Sequence, residues 1–173
     1  MEKGVLIRKL RECGAIRFGR FVLTSGAISD YYIDIKKAST NPDTLKLIAD
    51  YMTPFIEGYT LLAGMELGAV PLVVALSLRT DKPYVIIRKE KKVHGTAKEI
   101  EGGDVEGEKI LVVEDVTTSG GSVLKAIRIL REHGGIVDRV VVVVDRESGA
   151  SERLKEIGVT LTPLLTVNDI LKK

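Results

Sequence analysis

Two adjacent carboxylates, Glu114 and Asp115, directly follow the aliphatic run Ile110-Leu111-Val112-Val113. A run of this kind suits a central parallel strand covered by helices on both faces, which places the two acids at the strand's carboxyl end. Thr117, Thr118, Ser119, Gly120, Gly121 and Ser122 come next, offering hydroxyls and unobstructed backbone N–H groups, and Val123, Leu124, Ile127 and Leu130 then recur at helical spacing. A helix N-terminus with free N–H donors and the positive end of its dipole suits a phosphate. An acidic pair beside a phosphate monoester would repel it unless a neutral, hydroxyl-bearing group lay between. A ribose fills that gap: carboxylates accept hydrogen bonds from its 2′ and 3′ hydroxyls while the Thr-Thr-Ser-Gly-Gly turn holds a 5′-phosphate one sugar length away. The pattern GxxxxGK[ST] of nucleotide triphosphatases is absent, so the turn is not of that type. By composition alone the segment would be an ordinary strand, capping turn and helix; the order of residues favours the ribose phosphate.

A second charged segment lies in the long stretch 88–108, which begins with Arg88, Lys89, Lys91, Lys92 and His94 and ends among Gly102, Gly103 and Gly107. Charge runs are commonly solvated faces. On a glycine-bounded loop of this length beside a phosphate site, the run is better explained as a mobile basic lid over a diphosphate.

The elements that must position these groups follow from periodicity. Residues 2–13 carry Val5, Leu6, Leu10 and Cys13 at helical spacing, with Gly14 as a stop. From Ile16 to Ile35 the pattern turns strand-like and breaks at Thr24 to Ala27, which predicts a hairpin outside the main sheet, a hood over a site. Asn41-Pro42-Asp43 opens a capped helix. Strands are predicted at 60–63, 84–87, 110–113, 137–144 and 159–167, alternating with helices at 69–78, 121–133 and 151–157, the order of a parallel sheet with right-handed crossovers. The turn Gly64-Met65-Glu66-Leu67-Gly68 follows the first of these strands, and its glycines permit close backbone approach to a ligand. His133, before Gly134-Gly135, is expected to cap its helix.

The chain of 173 residues is long enough for one full core and too short for two domains of ordinary size. Its 26 basic and 24 acidic side chains leave a net charge of +2, which gives no general nucleic-acid coat. The single cysteine, Cys13, excludes an internal disulfide. No apolar run reaches the ~18 residues of a membrane helix, and Met1 to Gly14 is too charged for a secretory signal, so a cytoplasmic location is expected.

The segment VVEDVTTSGGS resembles the phosphoribosyl diphosphate (PRPP) binding motif of the type I phosphoribosyltransferases. Phe21 to Asp34, FVLTSGAISDYYID, and Arg88 to Gly95, RKEKKVHG, resemble the members of that family that act on orotate. The three motifs stand in family order, and the resemblance runs from about residue 18 to residue 146. It implies a single α/β phosphoribosyltransferase domain, a parallel sheet flanked by helices, with a hood over about residues 1–40, a core over about 41–173 and a mobile lid over about 88–108. The implied reaction converts orotate and PRPP to orotidine 5′-monophosphate and diphosphate in UMP synthesis.

By the same resemblance PRPP is bound by Arg88, Lys89, Lys92, His94 and Glu114, Asp115, Val116, Thr117, Thr118, Ser119, Gly120, Gly121 and Ser122. Lys92, His94 and Asp115 carry the catalytic work, and the Gly64 to Gly68 loop meets the diphosphate. Mg²⁺ is the expected cofactor, held mainly by PRPP rather than by direct protein ligands. Orotate is expected at Thr118, Arg146, Ser25 and Tyr32, with Gly26 and Ser29 in the same hood pattern. Without the resemblance, Arg146 would be a surface residue paired with Asp145 or Glu147. Many orotate enzymes carry lysine where this chain has Thr24. A homodimer sharing its lids across the interface is implied, with no membrane or nucleic-acid partner. Two rivals remain: a purine-salvage phosphoribosyltransferase, which has no reason to carry both the hood and the RKEKKVHG lid, and a PRPP-sensing regulator bound to nucleic acid, for which the chain has no spare helix-turn-helix.

Overall fold

A computed structural model describes residues 2–22, 28–90 and 98–172. Thr24, Ser25, Gly26, Lys91, Lys92 and His94 therefore lie outside the described residues. Helix α1 (Lys3–Glu12) buries Leu6 and Leu10, one turn apart on one face, and the chain leaves it through Gly14 at a φ of 73°. Strands β1 (Ile16–Val22) and β2 (Ile28–Ile33) pair antiparallel in a two-stranded sheet of their own, the hairpin expected of a hood. A short helix that periodicity did not foretell, α2 (Ile35–Ser39), follows at once, capped by Asp34, whose carboxylate accepts the Lys37 N–H. Helix α3 (Pro42–Met52) starts as its sequence predicts: Asn41 Oδ1 accepts the Thr44 N–H at 3.0 Å, and Pro42 occupies the first turn, where no N–H is needed.

The remaining elements are β3 (Leu61–Met65), α4 (Val70–Thr80), β4 (Tyr84–Ile87), β5 (Ile100–Glu101), β6 (Lys109–Thr117), α5 (Gly121–Glu132), β7 (Ile136–Asp145), α6 (Ala150–Glu156), β8 (Thr160–Thr166) and α7 (Val167–Leu171). The main sheet runs β5-β4-β3-β6-β7-β8. All its pairings are parallel except β4 with β5. The chain moves outward from β3 to β4 and returns to lay β6 on the other side of β3, so the strand order reverses between β3 and β6. Ligands of open α/β sheets bind beyond the carboxyl ends of the strands at such a point.

Strand β5 corrects the reading of 88–108 as one open loop. Ile100 and Glu101 pair with Ile87 and Ile86, and the Arg88 N–H donates to the Glu99 carbonyl at 2.8 Å. A two-residue edge strand with a single apolar side chain has no periodicity to reveal it.

Both faces of β6 are covered, as its unbroken aliphatic run requires. Leu111 and Val113 join a core with Leu6, Leu10, Ile48 and Leu76, while Ile110 and Val112 join one with Val123, Ile127, Leu130 and Leu154. Alternate residues pointing to opposite layers is the period of a strand, and it fixes β6 rigidly where its end must hold the acids. His133 Nδ1 lies 2.8 Å from the Ile129 carbonyl at the end of α5, the capping position expected. Among the described residues no helix is long and apolar enough to cross a membrane.

The return from α5 to β7 depends on Gly135, where an added Cβ would lie 2.6 Å from Ile110 Cδ1 and 3.0 Å from the Leu130 carbonyl oxygen. Gly135→Ala is expected to destabilise the protein by about 1–3 kcal/mol through overpacking, read as a lower urea midpoint at unchanged slope. A midpoint equal to the parent's would show that the turn absorbs the methyl group.

Candidate active site

Two adjoining recesses open at the carboxyl ends of β3 and β6. One, of about 150 Å³, is lined by Glu114 and by Val116 through Val123. The other, of about 250 Å³, is lined by Lys36, Met65, Glu66, Gly68, Lys89, Glu114, Asp115, Val116 and Ser122. The walls share Glu114, Val116 and Ser122, so the acidic pair divides a hydroxyl-rich end from an end where Lys36, Lys89 and Gly68 converge. The Glu114 to Ser122 segment predicted to form one site thus lines two adjoining recesses.

Its first end is an anion cradle. Helix α5 begins at Gly120 with no side-chain cap, so the first-turn N–H groups remain free for a ligand. Gly120 adopts a φ of 81°, and a Cβ there would lie 3.3 Å from Ala150. Glycine therefore serves both the backbone turn and the approach of α6. Arg153 of α6 donates to the Ser119 carbonyl at 2.7 Å, holding the turn from behind.

Not every hydroxyl of the turn faces the recess. Thr117 is buried and donates through Oγ1 to Asp145 Oδ1 at 2.8 Å, which leaves its backbone as the part available to a ligand. The same region ties the ends of β6 and β7 together, because the Arg146 N–H donates to the Thr117 carbonyl at 2.9 Å.

The carboxylates are held by their own backbone. Glu114 Oε1 accepts the Asp115 N–H at 2.9 Å, and Asp115 Oδ1 accepts the Val116 N–H at 2.8 Å. Asp115 Oδ2 lies 3.9 Å from Lys36 Nζ. A Cβ on Gly68 would come within 2.0 Å of that same Oδ2, so the bare backbone of the β3–α4 turn makes room for the acid. Burial pushes the Glu114 carboxyl well above the usual carboxylate range, and the hydrogen bond and charge of Asp115 raise it further.

Arg146 sits where the sequence put it, directly after β7, but its surroundings are those of the hood. Its guanidinium lies 5.3 Å from the centre of the Tyr31 ring, and Nη2 is 3.4 Å from Tyr31 Oη. The two acids that would have made it an ordinary surface arginine are engaged elsewhere. Asp145 Oδ1 accepts from Thr117 Oγ1 and from the Glu147 N–H, and Glu147 Oε2 accepts the Asn168 N–H.

Tyr32, expected over the base, is on the other face of β2, with its ring 5.6 Å from that of Phe21 and 5.2 Å from the Arg17 guanidinium. The cause is the strand's period of two: burial alternates along Ile28–Ile33, placing Ser29, Tyr31 and Ile33 inward and Tyr32 outward. Ser29 spends its hydroxyl on the Tyr31 carbonyl at 2.7 Å.

Of the basic stretch, Lys89 lines the second recess, and its N–H donates to Glu66 Oε1 at 2.7 Å. Its carbonyl accepts from Lys125 Nζ. Arg88 instead pairs with Glu101 of β5 at 3.2 Å, while its Nε is buried without a hydrogen-bond partner among the described residues. Lys92, His94 and Ser25 fall outside the described residues. Sequence reasoning did not single out Lys36, Tyr31 or Arg153. The alternation of β2 could have found Tyr31; the other two depend on packing between distant elements.

Among the described residues no group of three or more His, Cys, Asp or Glu is placed to hold a metal ion. The oxygen donors at the recess, Glu114 and Asp115, fit a Mg²⁺ that arrives on a ligand's own oxygens better than one caged by protein.

Comparison with known proteins agrees with this geometry. Residues 39–168 match the family model described as phosphoribosyl transferase domain. The chain is 52% identical over 170 residues to a Methanocaldococcus jannaschii protein named orotate phosphoribosyltransferase, covering 98% of this chain and 97% of the relative. A crystal structure of orotate phosphoribosyltransferase from Aeropyrum pernix superimposes with a TM-score of 0.87 at 35% identity over 96% of each chain. The Mycobacterium tuberculosis orotate phosphoribosyltransferase, solved in complex with PRPP, does so with a TM-score of 0.81 at 30% identity, covering 98% of this chain and 99% of that one.

The raised Glu114 carboxyl fixes the sign of one pH dependence. A carboxyl that holds its proton more tightly folded than unfolded costs nothing below its unfolded value of about pH 4 and destabilises increasingly as pH rises toward its folded value. Glu114→Gln should therefore gain stability over the parent between low pH and pH 8 in urea unfolding. A difference that stays flat with pH would show that Glu114 ionises at its ordinary value.

Proposed function

The chain belongs to the phosphoribosyltransferase family and, within it, to the orotate phosphoribosyltransferases, and from that membership we infer the reaction and the role of each residue at the recess. The enzyme transfers the 5-phosphoribosyl group of PRPP to orotate, giving orotidine 5′-monophosphate and diphosphate in pyrimidine nucleotide synthesis. The observation that carries the assignment of roles is the pair of adjoining recesses, with a helix N-terminus at one end, two carboxylates where they meet and lysines at the other end.

The 5′-phosphate takes the cradle of Thr118, Ser119, Gly120, Gly121 and Ser122, with the backbone of Val116 and Thr117 completing it. Asp115 receives ribose hydroxyls, and Glu114, which holds its proton more firmly than a free carboxyl, has a donor to offer them as well. During reaction the orotate ring nitrogen gives up its proton, to the departing diphosphate or to water, and bonds to C1′ while the bond from C1′ to the diphosphate oxygen breaks and its electron pair leaves with diphosphate. The ribose ring gains positive character as the leaving group gains negative charge. The Asp115 carboxylate beside the sugar stabilises the first, and cations at the diphosphate end stabilise the second. Lys89 of the recess wall, Arg88, and Lys92 and His94 of the lid are assigned to the leaving group. Magnesium bound to PRPP supplies further neutralisation of the diphosphate. Arg146 meets the orotate carboxylate or a ring carbonyl with its planar fork, beside Thr118. Tyr31 orients Arg146 from the hood, and Ser25 supplies a hydroxyl there; Tyr32 supports the hood's outer face.

The active unit is read as a homodimer. Helices α3 and α4 present an apolar face that includes Leu45, Ala49, Val74 and Leu78, and Leu78 is 80% exposed. The face begins at Val70, immediately after the turn that carries Gly68, which sets this candidate contact surface next to the recess. Both substrates are charged and do not cross membranes unaided, which supports a cytoplasmic location.

The named relatives favour orotate over a purine, and assay is direct. Orotate's ultraviolet absorbance should fall on addition of PRPP and Mg²⁺, whereas adenine, hypoxanthine and uracil should yield no nucleotide; turnover of a purine alone would overturn the reading. Arg146→Ala should raise KM for orotate ~10- to 100-fold, the worth of a charge-assisted pair, with KM for PRPP little changed. A rise for PRPP alone would move Arg146 from the base to the phosphates. Mixing Lys92→Ala subunits with Asp115→Asn subunits should restore part of the activity if lids are shared between subunits. Activity no greater than the sum of the separate variants would assign each lid to its own subunit.

A further inference from the structure

The described wall of the second recess carries more acids than cations. Three of its lining side chains are acids, Glu66, Glu114 and Asp115, yet the ligand end assigned to it carries a diphosphate. Of the described cations of the basic stretch, Arg88 is turned to Glu101 of β5. Lys89 contributes from the rim, its N–H on Glu66. The remaining cation in the wall is Lys36.

Lys36 arrives from the hood side. Asp34 caps α2, and the helical step then separates two consecutive lysines. An ideal Cβ on Gly14 would lie 3.0 Å from Lys37 Nζ, so Lys37 covers the end of α1. Lys36 points instead to the carboxyl end of β6, with Nζ 3.9 Å from Asp115 Oδ2. That distance is at the outer limit of an ion pair and too long for a hydrogen bond, and the Lys36 side chain is 60% exposed. It is near the acid without being committed to it. A Cβ on Gly68 would meet the same Oδ2, and Lys36 and the bare backbone of Gly68 line one opening.

We propose that Lys36 binds the diphosphate of PRPP, its ammonium exchanging a loose pairing with Asp115 for the diphosphate oxygens when the ribose hydroxyls occupy that carboxylate. The proposal rests on the PRPP reading of the recess and adds a residue from outside the three sequence motifs. It also accounts for the acids. An opening that holds a lysine against Asp115 before substrate arrives is close to neutral, and the cation becomes available when Asp115 acquires hydroxyl donors in its place. The assignment is testable because the two ends of PRPP exist as separate ligands: diphosphate probes the Lys36 end and ribose 5-phosphate the cradle.

Titration calorimetry with Mg²⁺-diphosphate and, separately, with ribose 5-phosphate would be run on the parent enzyme and on Lys36→Met, Lys36→Arg and Lys37→Met. Lys36→Met should bind diphosphate ~10- to 100-fold more weakly, the worth of one charge-assisted hydrogen bond, with ribose 5-phosphate within about twofold of the parent. Lys36→Arg should recover most of the loss, and Lys37→Met should bind both ligands as the parent does. Unchanged diphosphate affinity in Lys36→Met would overturn the proposal. So would an equal loss of both ligands, the mark of a misplaced Asp115 rather than a missing cation. Orotate turnover by the parent, measured alongside, separates the two levels: parent enzyme that binds diphosphate through Lys36 but leaves orotate untouched overturns the substrate assignment alone.

Discussion

Two carboxylates adjacent in sequence at the end of a buried strand repel each other and resist desolvation, and the architecture around the recess is arranged to hold them there. Glu114 is 7% exposed, a position in which an unpaired negative charge is costly. Three features offset that cost. The backbone N–H groups of Asp115 and Val116 turn toward the acids, Glu114 keeps its proton above the usual carboxylate range, and Lys36 stands near Asp115. Gly68 is the steric counterpart, since any side chain there would occupy the volume of the Asp115 carboxylate. The acids are therefore a constraint on β3, β6, α2 and the turn before α4 together, and the place where those elements meet is the point at which the strand order reverses.

Rigidity is distributed unevenly around this centre. The Thr117–Ser122 turn proposed for the phosphate is fixed from below by the covered strand β6, from the side by the Thr117–Asp145 hydrogen bond and from behind by Arg153 on the Ser119 carbonyl. The base side is made differently. Arg146 rises from the end of β7, but the ring it meets belongs to a two-stranded hairpin outside the main sheet. Its conformation thus depends on how the hood sits on the core. A long arginine stacked on a tyrosine also loses less rotamer freedom on binding than one projecting alone into solvent.

The covered strand, the acids at its end and the turn after it were legible in the sequence because each is a local pattern. An aliphatic run bounded by polar residues, a glycine-rich turn and a helical repeat need no knowledge of the rest of the chain. The hood hairpin was equally legible from the break in periodicity at Thr24 to Ala27. The motif offered Tyr31 and Tyr32 as a pair, whereas a strand assigns alternate residues to opposite faces, and it is Tyr31 that faces inward. Strand β5 and helix α2 were missed for a different reason: at two and five residues they are stabilised by what they pack against. Lys36 inherits that blindness, since its position follows from α2, and α2 follows from Asp34 and the buried Ile35 and Ala38.

The division of charge along the recess explains why one site can bind a highly anionic sugar through acids. A ribose 5-phosphate 1-diphosphate is anionic at both ends and neutral in the middle. In the proposed placement the protein opposes it with helix N–H dipoles at the first end, lysines at the second and carboxylates only where the ligand offers hydroxyls. Reaction alters that pattern in one direction, placing positive character on the sugar and more negative charge on the leaving group. In the proposed arrangement both changes increase complementarity with groups already in position, Asp115 for the sugar and the cations for the diphosphate. Interactions that strengthen as charge separates accelerate the chemical step rather than merely tightening the ground state. The unfavourable burial of Glu114 in the free protein and the stabilisation proposed for Asp115 during transfer are thus two consequences of one arrangement, with the acids at the rigid end of β6 and not on a loop free to relax away.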